Sequence, residues 1–259
     1  MAEAVRYETR GAIGLITLDR PDNRNSMTPE LLDAFAAASA RAKADAGIRA
    51  LVVTGTGACF SSGADFKSTL QRQDDREPHE KSFAMYEPFL SLLELRVPVI
   101  GALNGHTVGG GFGLALVCDL RIGALEAKYG ANFVKLGLAP GMAISYVLPR
   151  LIGMARASDL LLTGRLVDGA EAERMGILNR AVATADVMPA AMELAQTIAS
   201  NAPFAVQETK LAIRRGLGLE IVSGARAESH VQAASVVMDD AREGIAAFMA
   251  KRPPVFTGR

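Results

Sequence analysis

Two short apolar runs, each closed by glycine and followed by a helix start, constrain this chain more than any other feature. The first, Ala50-Leu51-Val52-Val53-Thr54, is bounded by Gly55 and Gly57 and leads to a helix start near Ala64. The second, Val97 to Leu103, leads to Gly105 and then to Val108-Gly109-Gly110-Gly111-Phe112-Gly113, which opens the apolar helix Leu114 to Cys118. Unbroken apolar runs of this length read as strands of a parallel sheet buried on both faces. Each unit brings a helix N-terminus to the end of a buried strand. Two such ends facing one cavity would supply two free N–H donors.

The flanking segments extend this α/β pattern. Val5 and Tyr7, then Ile13, Leu15 and Thr17, alternate as two strands meeting near Gly11. Thr28-Pro29-Glu30 combines a hydroxyl cap, a first-turn proline and an acid at the positive dipole end, so a helix begins there. Residues 68–80 are polar and poorly periodic, and read as a surface loop. From about residue 184 the pattern is almost wholly helical, until Arg252-Pro253-Pro254 stops it. A core over 1–200 and a helical region over 201–259 follow, the latter being either an oligomer interface or a self-contained cap.

Composition narrows the function. Lys plus Arg and Asp plus Glu number 28 each, so the net charge gives no basis for nucleic acid or an anionic membrane as the main partner. Cys59 and Cys118 sit in apolar stretches and read as buried reduced thiols. The start MAEAVRYETRG lacks the apolar core of a secretion signal, and no apolar run is long enough to span a membrane. A cytoplasmic protein is expected.

Two common chemistries fit poorly. A dinucleotide fingerprint counted from Gly109 through Gly111 would need a further glycine where Leu114 stands. A nucleophile–His–acid enzyme has only His79, His106 and His230 to draw on, and none follows a Gly-x-Ser-x-Gly elbow.

The segments Cys59-Phe60-Ser61-Ser62-Gly63-Ala64-Asp65-Phe66-Lys67 and Ala102 to Gly113 resemble the two signatures of the enoyl-CoA hydratase/isomerase (crotonase) superfamily. Arg20-Pro21-Asp22-Asn23-Arg24-Asn25, Leu148 to Gly153 and Leu161 to Arg165 continue the likeness, which covers nearly the whole chain. The resemblance implies a spiral of ββα units with a C-terminal helical trimerisation region, assembled as a trimer or hexamer. It also implies an acyl-CoA thioester ligand, with coenzyme A arriving as part of the substrate and no tightly bound cofactor or metal. The N–H groups of Ala64 and Gly110 would form the oxyanion hole. Arg24, Ser62, Asp65, Phe66 and Phe256 match positions near the coenzyme A moiety. Lys67 also matches such a position, but a solvated lysine is the plainer reading, and Lys251 accompanies Phe256 in the C-terminal match.

The chain departs from the family where its hydratases carry two glutamates, because those positions are Gly113 and Phe133. A third acid position, used by some relatives, is Gly141. Ordinary hydration is therefore not expected. His106 and Tyr146 are candidate acid/base groups, with Asp65, Ser145, His79 and Glu80 as further ones. Isomerisation, thioester hydrolysis or hydration with another base remain open, as does a non-catalytic acyl-CoA carrier. The small residues Gly113, Gly141 and Ala143 would enlarge the acyl pocket, unless Phe133 and Met142 refill it.

Overall fold

The computed structural model describes residues 3–65, 75–216 and 220–257. Two sheets are built by a chain that alternates between them. The larger has the order β1-β2-β3-β5-β7-β10, from β1 (Val5–Arg10), β2 (Ile13–Leu18), β3 (Ala50–Gly55), β5 (Val99–Leu103), β7 (Leu120–Ala124) and β10 (Arg180–Val182). The smaller runs β4-β6-β8-β9, from β4 (Cys59–Ser61), β6 (His106–Val108), β8 (Lys128–Gly130) and β9 (Val167–Asp168). Thus β3 hands over to β4, β5 to β6 and β7 to β8, which is a spiral of repeated units.

β1 pairs antiparallel with β2, whereas β2, β3, β5, β7 and β10 are mutually parallel. Every residue of β2 and β5 is buried, and so are five of the six in β3. Continuous apolar runs occur in those strands because both sheet faces are covered. Helix α1 (Pro29–Ala44) packs on β1 and β2. Its Thr28 cap accepts a hydrogen bond from the Leu31 N–H at 3.2 Å, and Leu31, Leu32, Phe35 and Ala38 form its buried stripe.

The segment expected as a loop over 68–80 is corrected at its end. Pro78–Ala84 forms helix α2, started by Pro78 and a capping box between Glu77 and Glu80, while residues 66–74 lie outside the described set. Periodicity failed there because α2 buries only Phe83, leaving too short an apolar stripe to detect. The short α3 (Glu87–Leu90) follows, and its Phe89 meets Phe35 edge-on with centroids 4.8 Å apart. Then come α4 (Gly110–Val117), α5 (Ile144–Ile152), α6 (Met154–Thr163) and α7 (Gly169–Met175).

The C-terminal helices are α8 (Val187–Ala199), α9 (Pro203–Gly216), α10 (Ile221–Val236) and α11 (Asp239–Met249). α8 packs against β3, β5 and β7. α9 is docked by charge: Asp119 joins Lys210 at 2.8 Å and Arg214 at 2.9 Å, and also accepts from the Val99 N–H at 2.8 Å. α10 lies against α2 and α5. Both cysteines are buried and unpaired, and no described helix is long and apolar enough to cross a membrane.

Candidate active site

The first donor is positioned by a buried amide. Asn25 is fully enclosed: its Oδ1 accepts from the Arg20 N–H at 2.8 Å, and its Nδ2 donates to the carbonyls of Thr56 and Cys59 at 3.0 and 2.9 Å. Ser61 Oγ donates to the Asn25 carbonyl at 2.8 Å, and the Ser62 N–H donates to the Arg24 carbonyl at 3.1 Å. These bonds tie residues 20–25 to 56–62. Met27 extends the seam by donating its N–H to the Gly63 carbonyl at 2.8 Å, in an isolated bridge opposite Ala64. Because Met27 bonds to Gly63, the Ala64 N–H is left over.

The second donor begins α4. Gly109 donates to the Gly130 carbonyl at 3.0 Å, and the Gly113 N–H closes the first helical turn on the Gly109 carbonyl at 3.1 Å. Gly110, the first residue of the helix, has no intrahelical acceptor for its N–H. Among the described residues, neither the Ala64 nor the Gly110 N–H has an acceptor.

Glycine lets these two backbones meet. A Cβ on Gly63, whose φ is +82°, would stand 2.8 Å from the Gly110 nitrogen and 2.9 Å from the Val108 carbonyl. A Cβ on Gly110 would stand 2.3 Å from Met27 Sδ. Two donors without acceptors among the described residues are therefore held on adjacent backbone segments. That arrangement can polarise a carbonyl and stabilise the oxyanion that develops from it.

Positions 113, 133 and 141, where the resemblance led acids to be expected, are surrounded by other groups. A side chain at 113 would run into Met142, whose Cγ lies 2.1 Å from an ideal Cβ there. Met142 is fully buried and holds φ +66°, with Ala143 next to it at +57°. Phe133 is buried in the 3-10 turn Phe133–Leu136. A Cβ at 141 would stand 2.2 Å from the Tyr86 hydroxyl oxygen and 2.8 Å from Gln232 Nε2. The small residues at 113 and 141 therefore do not enlarge the pocket; neighbouring side chains take up the volume.

Other candidate residues are dispersed. Arg24 is exposed, Ser62 and Asp65 are half-buried, and all three lie within the strand seam around Ala64. Phe66 and Lys67 lie outside the described residues. His106 is exposed on β6, where its Nδ1 accepts from the Lys128 N–H at 3.0 Å. The Tyr146 hydroxyl accepts from the Glu220 N–H at 2.9 Å, and Arg150 covers its ring at 3.7 Å. Its ring also packs on Gly224 at the start of α10, so its surroundings are those of a helix-docking group. His79 and Glu80 line a surface cleft of about 330 Å³ with Phe83, Arg226 and His230, and the two imidazoles stack at 4.0 Å. Phe256 belongs to a tail pinned to α11, through Val255 on Glu243 and Thr257 on Asp240.

Sequence reasoning missed a buried polar group supplied by α10. Glu228 accepts from the N–H groups of Ile144 and Ser145 at 3.2 and 2.7 Å, and from Ser145 Oγ. It serves as a tertiary cap for α5, whose own preceding residue, Ala143, has no side chain able to cap. Burial pushes the Glu228 carboxyl above its ordinary range, and these donors hold it down in part. Ser145 was among the candidates, but its partner lies 83 residues away and no local pattern announces it.

These features agree with comparisons to known proteins. A model of the enoyl-CoA hydratase/isomerase family matches residues 8–259. The chain is 37% identical to a putative enoyl-CoA hydratase/isomerase of Bacillus subtilis, covering 100% of both chains. It is also 37% identical to a probable enoyl-CoA hydratase of Mycobacterium leprae, covering 95% of both. The crystal structure of an enoyl-CoA hydratase/isomerase from Pseudoalteromonas atlantica superimposes with a TM-score of 0.87 at 28% identity, covering 98% of this chain and 100% of that one. Spiral topology, paired glycine elements and these matches agree: the chain has the crotonase fold and belongs to the enoyl-CoA hydratase/isomerase family.

Proposed function

We propose that this protein is an enzyme that binds acyl-CoA thioesters and holds the thioester carbonyl between the N–H groups of Ala64 and Gly110. The observation that carries this reading is that two donors without acceptors among the described residues are held together through the contact of Gly63 with Gly110. When a carbon next to a thioester carbonyl reacts, charge moves onto the carbonyl oxygen. Each donor aimed at that oxygen is worth about 2.7–4 kcal/mol by oxyanion-hole precedent. Arg24, exposed at the rim of the same seam, is the proposed contact for a coenzyme A phosphate.

The reaction proposed is one that uses this stabilisation without the two hydratase glutamates: an isomerisation, a thioester hydrolysis or a hydration with another base. Glycine at 113 and phenylalanine at 133 supply no carboxylate, and Met142 occupies the space beside the first. A second reading, a non-catalytic acyl-CoA carrier, is favoured by the same filled positions. A trimer or a hexamer of two trimers is the proposed assembly. Val231, Val237, Phe248 and Met249 leave large apolar side chains exposed along the C-terminal helices, in keeping with an interface there.

The test is the absorbance of the conjugated thioester when short and long trans-2-enoyl-CoA meet the purified protein. Rapid loss with formation of the 3-hydroxyacyl product would overturn the reading of Gly113 and Phe133. Binding without turnover of any thioester would favour the carrier, and absence of binding would overturn the acyl-CoA reading itself.

A further inference from the structure

The surface cleft of about 330 Å³ between α2 and α10 brings four nitrogen-bearing side chains together: Arg76 and His79 from one side, Arg226 and His230 from the other. The two imidazoles stack at 4.0 Å and only 16° from parallel, and the Arg226 guanidinium lies 4.2 Å over the Phe83 ring. Among the described residues, the side chains of His79, His230 and Arg226 make these ring contacts but no hydrogen bond or ion pair. A guanidinium stacked on a ring still presents its in-plane N–H edge, the edge that meets an oxyanion bidentately.

Two carboxylates line the same cleft without pairing with that guanidinium. Glu80 Oε2 belongs to the capping box of α2, where it accepts from the Glu77 N–H at 3.3 Å, and neither Glu80 nor Glu87 forms an ion pair with Arg226. Ser229 is engaged as well, its Oγ donating to the Arg226 carbonyl at 2.7 Å. Glu228, two residues before His230, is turned to α5, which it caps. The cleft shares no residue with the seam that holds the Ala64 and Gly110 N–H groups. Its volume lies at the lower end of the range for small-molecule pockets (about 300–1,000 Å³), so only a small ligand fits.

We infer that this cleft is a second binding site, which takes a small dianionic oxyanion of the sulfate and phosphate class. The inference is independent of the acyl-CoA reading. Arg226 and Arg76 hold the anion by charge-assisted hydrogen bonds, and His79 and His230 add donors as they take up protons. Two imidazolium charges 4.0 Å apart beside two arginines repel one another, and a dianion among them offsets that repulsion. Glu80 and Glu87 offset it only in part. Anion binding is therefore coupled to proton uptake, and it bridges α2 to α10.

The chain has three histidines, so the imidazole C2–H signals in proton NMR read the site directly, with His106 on β6 as the internal reference. Sulfate, which stays dianionic across the pH range used, is the probe. Titrated at constant ionic strength, it should move the His79 and His230 signals together along one saturating curve and leave His106 still. The Kd should be at least about tenfold lower near pH 5.5 than near pH 8, because both imidazoles add charge at the lower pH. Arg226→Gln should raise the Kd about tenfold or more by removing a charged donor. His79→Gln, at a partly exposed position, should stay folded by circular dichroism and weaken the pH dependence. Equal movement of all three histidines, a curve that does not saturate, or an affinity that neither pH nor Arg226→Gln alters would mean non-specific ion contact only and overturn the inference. A response to adenosine 3′,5′-bisphosphate but not to sulfate would also overturn it, by making the cleft part of the coenzyme A contact.

Discussion

Met142 fills the space that a side chain at position 113 would need, with its Cγ 2.1 Å from an ideal Cβ on Gly113. The two positions are 29 residues apart in sequence, yet each depends on the other. Met142 also holds φ +66°, a region that non-glycine residues seldom adopt. Gly113→Ala should therefore destabilise the protein by about 1–3 kcal/mol through overpacking. Adding Met142→Gly should recover part of that loss, since glycine empties the space and accepts the backbone. Denaturant titrations of the double-mutant cycle measure the coupling, and simple additivity would mean the contact is not tight.

Ala64→Pro removes one proposed oxyanion donor. Any turnover should drop by about 10²–10³-fold if the N–H acts as proposed. Steady-state kinetics, with circular dichroism to verify folding, settle it: unchanged kcat/KM in a folded variant removes Ala64 from the site.

Arg24→Ala should weaken binding of a coenzyme A thioester more than binding of its analogue lacking the 3′-phosphate, because a charged phosphate contact is lost only in the former. Titration calorimetry with the two ligands reads this out. Equal weakening would place Arg24 outside phosphate contact.

Asp119 joins α9 to the main sheet, since Lys210 is buried and both it and Arg214 end on its carboxylate. Burial lowers the Lys210 pKa, and Asp119 opposes that shift. Asp119→Ala strands a buried ammonium and the Val99 N–H, so a loss of about 3–5 kcal/mol is expected in urea unfolding. A change under 1 kcal/mol (about the value of an exposed pair) would mean that the cluster is hydrated.

Glu228 makes stability depend on pH. Its folded pKa is raised, mainly by burial, so the folded chain holds this proton more tightly than the unfolded one. Its contribution is then full below the unfolded carboxyl pKa and is lost as pH rises through the higher folded value. Glu228→Gln should flatten the fall in stability as pH rises from the ordinary carboxylate range toward neutrality. Melting temperatures measured across that window in both proteins would expose an error, because identical slopes would mean that Glu228 titrates normally.

Residues close in sequence made much of the fold legible. The Thr28-Pro29-Glu30 start, the buried runs of β3 and β5 and the glycine triplet before α4 are local patterns, each set by a backbone preference or a periodic apolar face. The likeness of the two glycine elements to a known family extended this to Ala64 and Gly110. α2 escaped because one buried phenylalanine leaves no period to read.

By itself, then, the sequence determined the buried strands β3 and β5, the start of α1 and the two glycine elements, and that positions 113, 133 and 141 carry no acid. Only the tertiary structure decided what packs at those positions: Met142 over Gly113, and the Tyr86 hydroxyl with Gln232 at Gly141. It also decided that Glu228 caps α5 and that Tyr146 docks against α10. The reason is physical. Backbone conformation follows from neighbours a few residues away, whereas the filling of a cavity depends on side chains from separate segments whose packing no local pattern encodes.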